Sequence, residues 1–175
     1  MWHADRDLYA QADALAHAAL DPSASIEEEL RPEGWTLVAR TIWPQTAAAL
    51  LATRDRASQI GFFAAGFVRS SGGGWNMRVE IADEWFAPDL AGPAEEDVWS
   101  YNGIWGWDAW LFAGEAAPGV AHIRATTALC SQALRPQRPT GAFVLAAQSA
   151  TGEKLAIEAL DAAGTVLDRH ETWVA

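Results

Sequence analysis

The chain has a single cysteine, Cys130, in 175 residues, so no internal disulfide framework is possible and its stability must come from packing. It has one lysine, Lys154, against eleven arginines, a bias that together with abundant alanine points to a GC-rich bacterial coding sequence. No uninterrupted apolar run approaches the ~20 residues that cross a bilayer as a helix. The start, Met1 to Asp7, has no cationic stretch followed by an apolar one, so no signal peptide is expected. The compartment stays open: extracytoplasmic if a leader was removed, cytoplasmic otherwise. Catalytic signatures are missing too. There is no Gly-x-Ser-x-Gly elbow. Gly72-Gly73-Gly74 runs into Trp75 and a strand pattern, whereas a phosphate loop must open a helix. His3, His17, His122 and His170 are too scattered for a structural zinc site. No cofactor is implied.

Cations are scarce throughout. The net charge of -11 argues against a nucleic-acid partner, because phosphate contacts need Lys and Arg. The shortage is total between Val79 and Ala121, which holds no Arg, Lys or His but nine carboxylates and five tryptophans. Unpaired carboxylates repel one another and stay in water, while indole rings seek a core or a flat apolar ligand. Such a segment is either the rim of a binding surface or an acidic loop pinned down by its rings. Asp83, Glu84, Asp89, Glu95, Glu96 and Asp97 offer hard oxygens for calcium, but the spacing of a calcium-binding loop is absent and no metal site is assigned.

Half of the residues are apolar, enough for one domain with a real core, and a single domain is expected over residues 1–175. Residues 1–22 are its N-terminal helix. Leu8, Ala12, Leu15 and Ala19, with Tyr9, Ala16 and Leu20, recur at helical spacing. Leu8, Leu15 and Leu20 are expected to pack on the strands that follow, and Asp21-Pro22 to end the helix. Ser25-Ile26-Glu27-Glu28 has capping-box spacing and predicts one further helical turn.

From Trp35 onward, apolar segments of strand length recur every ten residues or so, the rhythm of an all-β sandwich or barrel. Residues 33–82 form a first strand group: Trp35–Trp43, Ala47–Thr53, then a hairpin of Ile60–Ser70 and Trp75–Ile81 around Ser71–Gly74. Thr46–Thr53 also has helical propensity, so strand and helix both stay open there. In the second hairpin strand, Trp75, Met77, Val79 and Ile81 are expected on one face, with Glu80 outward. Residues 83–108 read as an acidic, Trp-rich connection. Residues 109–175 form a second group, with strands at Ala109–Ala113, Ala121–Thr127, Gly141–Ala147, Lys154–Leu160 and Thr165–Arg169.

Three stretches of this second group, Gly114–Ala125, Thr140–Leu145 and Ala159–Leu167, resemble the strands and closing hairpin of immunoglobulin-like β-sandwiches found in bacterial secreted or membrane-tethered proteins. The resemblance implies a mainly-β fold, an antiparallel sandwich of eight or nine strands with the N-terminal helix attached, and it carries over no catalytic residue.

Function rests on the run Trp-Ser-Tyr-Asn-Gly-Ile-Trp-Gly-Trp-Asp-Ala-Trp at 99–110. Trp35, Trp43, Trp75 and Trp173 sit at strand positions and are expected in the core. Within the run, Gly103 and Gly106 permit sharp turns, and Trp105 and Trp107 alternate onto one face. The candidate ligand-binding set is Trp99, Tyr101, Asn102, Trp105, Trp107, Asp108 and Trp110, holding a carbohydrate or another protein. The competing reading makes these rings the anchors of the acidic loop. A non-enzymatic binding module is the leading expectation. A small glycan hydrolase using paired carboxylates and a purely structural interaction domain are the alternatives.

Overall fold

The computed structural model describes residues 6–27, 29–31, 34–54, 60–83, 97–128, 131–148, 150 and 152–173, with the backbone alone for 6–9 and 83. Helix α1 (Arg6–Ala18) buries Ala12, Ala16, Ala19 and Leu20, a face of small residues that lets the helix approach the sheet closely. Leu15, expected in that seam, is 43% exposed instead. The helix is rotated so that alanines meet the bulky Trp35, Phe63 and Phe67 of the sheet. The Leu8 side chain lies outside the described residues. Arg40 closes the helix from a neighbouring strand, its Nη1 donating to the carbonyls of Ala19, Asp21 and Ala24 at 3.0, 2.8 and 2.9 Å, which satisfies groups that a helix end leaves bare. Ser25 to Glu27 is not helical, and Glu28 lies outside the described residues.

Four strands form an antiparallel meander, sheet I: β1 (Trp35–Ile42), β2 (Thr46–Arg54), β3 (Ile60–Arg69) and β4 (Trp75–Asp83). The Ala-rich segment with helical propensity is therefore a strand. Its place between β1 and β3 explains why it is apolar throughout: Ala47, Ala49 and Leu51 face α1, while Ala48, Leu50 and Ala52 face the next sheet. A strand covered on both faces loses the usual polar alternation.

The remaining strands are β5 (Trp99–Gly106), β6 (Ala109–Ala116), β7 (His122–Thr126), β8 (Ser131–Leu134), β9 (Ala142–Gln148), β10 (Lys154–Leu160) and β11 (Val166–Trp173). They make sheet II, in the order β5-β6-β9, and sheet III, in the order β11-β10-β7-β8. The described residues thus hold eleven strands in three antiparallel sheets, against the eight or nine expected. The extra ones are β5, inside the supposed connection, and the short, half-polar β8.

The layers stack as α1, sheet I, sheet II and sheet III. Leu111, Ala113, Val144 and Ala146 of sheet II pack on sheet I, while Phe112, Phe143, Leu145 and Ala147 pack on Ile123, Leu155 and Ile157 of sheet III. Cys130 lies outside the described residues.

Two strands are bulged, β1 between Leu37 and Ala39 and β4 opposite Gly66 and Phe67. The second bulge overturns the expected single face of β4. Trp75 and Met77 join the helix-side core, and Val79 and Ile81 join the sheet II side, because Arg78 is the additional residue and reverses the alternation.

Candidate functional site

Strands β5 and β6 make a hairpin whose last pair is Gly106 with Ala109, leaving Trp107 and Asp108 as a two-residue turn. Trp107 has φ of 52°, a region that non-glycine residues rarely enter. Positive φ at the first loop residue of a two-residue hairpin turn favours glycine or asparagine. The indole gains nothing from packing in return, since Trp107 is 86% exposed. Strained backbone that local packing does not repay is found at binding and switch positions.

The strand behind this tip is built to hold it. Trp105 and Trp110 face each other across the hairpin, ring centroids 5.7 Å apart, and Trp110 stacks on Phe112 at 5.5 Å. Phe112 has room because its strand partner is Gly103. Gly103 and Gly106 therefore do not make turns, as their type suggested; they accept close neighbours, Phe112 for Gly103 and Val79 for Gly106. Trp99 is buried, and its Nε1 donates to Asp168 Oδ2 at 2.7 Å. Tyr101 is half-buried between Trp99 and Phe112 and lies against His170. Burial first, and the Asp168 carboxylate second, push the Tyr101 hydroxyl above the usual phenol range.

Asp108 links three sequence-distant strands. Its Oδ1 lies 3.6 Å from Arg78 Nε, and its Oδ2 accepts from Gln148 Nε2 at a long 3.4 Å. Arg78 is the bulge residue of β4, so the bulge aims a guanidinium at the turn. Neither Arg78 Nε nor Asp108 Oδ1 has a hydrogen-bond partner among the described residues, although both atoms are buried. Between β4 and β5 runs an open groove of about 570 Å³ lined by Met77, Arg78, Val79, Glu80, Ile104, Trp105, Gly106 and Trp107. Asn102 shares the alternate positions of β5 with Ile104 and Gly106, one repeat further along.

The structure therefore divides the candidate set. Trp107, Trp105 and Asp108 gather at the hairpin tip, and Asn102 is not among the residues that line the groove. Trp99, Tyr101 and Trp110 support the strand from the sheet III side, and Trp99 is core. Arg78 and Glu80 join the groove, and no sequence signal marked Arg78, because the bulge that re-aims it leaves no trace in the alternation of Trp75 to Ile81. Of the tryptophans expected in the core, Trp35 is buried and Trp43 and Trp75 are partly so. Trp173 is a correction, 64% exposed on the edge strand β11. Its ring lies under Lys154, with Nζ 5.4 Å from the centroid.

Among the described residues no group of three His, Cys, Asp or Glu is placed to hold a metal. Glu84, Asp89, Glu95 and Glu96 lie outside them, as does the side chain of Asp83. No helix of the described residues is long and apolar enough to cross a membrane. Comparison with known proteins finds no family model that matches the chain and no curated protein that is similar to it.

Proposed function

We propose that the protein is a non-catalytic binding module that holds a neutral glycan against the tip of the β5–β6 hairpin. The observation that carries this reading is Trp107, exposed and held at positive φ. An indole face matches the apolar C–H face of a pyranose, and a few fixed polar groups then set orientation. Asp108, Arg78 and Glu80 are of that kind, and their mixed charge suits hydroxyls better than an anionic sugar. A glycan hydrolase fits less well, because it needs two carboxylates turned toward the sugar and Asp108 is already engaged by Arg78 and Gln148. A structural module docking a protein through Trp107 and the exposed Ile104 is the remaining reading.

The immunoglobulin-like reading of the second strand group belongs to the same proposal. It is supported by seven consecutive strands dividing into β5-β6-β9 and β11-β10-β7-β8, with crossings between sheets at β6–β7, β8–β9 and β9–β10 as in a Greek-key sandwich. Loops and hairpin tips at the ends of such a sandwich are where binding residues sit.

The test is a panel of neutral oligosaccharides titrated by calorimetry into the wild type, Trp107→Ala and Trp107→Phe. Uptake by the wild type that Trp107→Ala abolishes and Trp107→Phe partly retains, at an unchanged melting temperature, supports the reading. No uptake by the wild type, or equal uptake by Trp107→Ala, refutes it.

A further inference from the structure

Strand β11 forms one edge of sheet III, and among the described residues it pairs with β10 alone. The opposite edge, β8, is four residues long, and shortness is a common protection of an exposed edge. β11 is eight residues long and lacks that protection. Of the six large apolar side chains exposed among the described residues, three stand on this strand: Val166, Leu167 and Trp173. A free edge of this length offers its row of backbone donors and acceptors to another strand.

Past the bulge at Leu167 the pairing with β10 is regular from Asp168 to Trp173. Asp168 and His170 turn toward sheet II, where they meet Trp99 and Tyr101. Arg169, Glu171 and Trp173 stand on the outer face, beside Glu158 and Lys154. Across that face the row Arg124, Glu158, Arg169 alternates in sign and reaches the edge on a cation. The next outer row, Ala156 and Glu171, reaches it on an anion.

We propose that a second copy of the chain occupies this edge: two β11 strands pair antiparallel about a two-fold axis at His170, and the two copies of sheet III become one continuous sheet. Symmetry and charge leave one register. A two-fold axis perpendicular to the sheet keeps each outer face outer, so outer residues must meet outer ones and one residue must lie opposite its own copy. Centring on Arg169 sets two guanidiniums against each other, and centring on Asp168 or Glu171 sets two carboxylates. Thr172 and Trp173 stand too near the strand's end to pair more than a few residues. Centring on His170 sets Arg169 against Glu171 of the second copy, twice over, and continues the alternating row across the joint. Asp168 then faces Thr172, and the bulge residue Leu167 comes level with Trp173, two apolar side chains left bare in one chain alone. No residue of the groove beside Trp107 takes part, so the joint stands whether or not a glycan binds there.

One strand a side is a small joint, so the dimer should be weak, with a Kd on the order of 100 μM. In sedimentation equilibrium up to millimolar protein, the mass should rise from the 18.9 kDa of one chain toward twice that value. Arg169→Glu alone sets acid against acid at the joint, and Glu171→Arg alone sets base against base. Each should weaken dimerisation about tenfold, and the two variants mixed in equal amounts should pair with each other as the wild type pairs with itself. In a Cys130→Ser background, His170→Cys should form a linked dimer when oxidised by dissolved oxygen, because position 170 meets its own copy. Thr172→Cys, four residues out of register with its copy, should not. This pair decides the question if the charge variants do not fold. A wild type that stays at the mass of one chain, as it would if this edge took a strand of another protein, would overturn the proposal. So would folded charge variants that do not associate when mixed, or linking by Thr172→Cys as fast as by His170→Cys.

Discussion

The indole Nε1 of Trp99 donates to Asp168 Oδ2 at 2.7 Å, and this bond ties the edge strand of sheet III to the edge strand of sheet II. Beside it, Tyr101 lies edge-on to Trp99, with ring centroids 4.8 Å apart. The Tyr101 hydroxyl is raised above its ordinary range by burial and by the Asp168 charge. A raised folded-state pKa means that the native state holds this proton more tightly than the unfolded chain. The contribution is fully present below the unfolded value of about 10 and is lost as pH rises through the folded one. Asp168→Asn should therefore bring the Tyr101 transition to lower pH without restoring it fully, because burial is the larger cause. Ultraviolet titration of the phenolate with Tyr9→Phe as background reads this directly; a transition that does not move would show Asp168 to be electrostatically silent.

Sheet III carries a charged ladder on its outer face. Glu158 is only 5% exposed, yet its carboxylate accepts from Arg124 Nε at 2.7 Å and from Arg169 Nη1 at 3.1 Å. Removing the shared partner leaves Arg124 without its carboxylate, while Arg169 still pairs with Glu171 and both guanidiniums reach solvent, so Glu158→Ala should cost about 1 kcal/mol, near the upper end for an exposed ion pair. Arg169→Ala should cost less, because Arg169 is half exposed and Arg124 still neutralises the acid. Urea denaturation of the three proteins checks the order.

Much of this fold was legible from spacing alone. The Ile60–Ser70 and Trp75–Ile81 hairpin, and the strands at 141–147 and 154–160, follow from apolar runs bounded by turn residues. Leu155, Ile157 and Ala159 face inward as their alternation requires, while Ala156 and Glu158 on the other face are buried too. What stayed hidden has physical reasons. β5 reads as loop because Gly103, Gly106 and its neighbouring acids mimic turn chemistry, whereas those glycines serve close packing across the hairpin. The helix face could not be chosen between leucines and alanines, since that depends on how large the opposing sheet residues are. The site was legible as a cluster of rings, but which ring is free depends on where the turn falls. One residue separates the half-buried Trp105 from the exposed Trp107.

Gly103 gives the packing claim its sharpest check. A Cβ there would lie 2.4 Å from Phe112 Cε1 and 2.7 Å from Cδ1. Gly103→Ala must push the Phe112 ring into Trp110, which stacks on it, and should cost about 1–3 kcal/mol as overpacking does. A variant with an unchanged urea midpoint would mean that the ring has room to move.

Trp107 should behave oppositely to the rings behind it. Trp105→Ala and Trp110→Ala remove half-buried indoles that pack on each other and on Phe112, and each should cost about 3 kcal/mol, the lower end for an aromatic truncation. Trp107→Ala keeps a side chain at positive φ and removes a ring that touches little, so stability should stay within about 0.5 kcal/mol. Trp107→Asn goes further. Asparagine tolerates left-handed backbone and suits primed turns, so relief of strain should stabilise the fold by about 1 kcal/mol. The protein would then be more stable without the indole than with it, as expected of a residue kept for contact with a ligand rather than for folding. Thermal melts of the four variants decide the matter: destabilisation by Trp107→Asn would show that the exposed ring supports the hairpin, and would remove the observation on which the binding role stands.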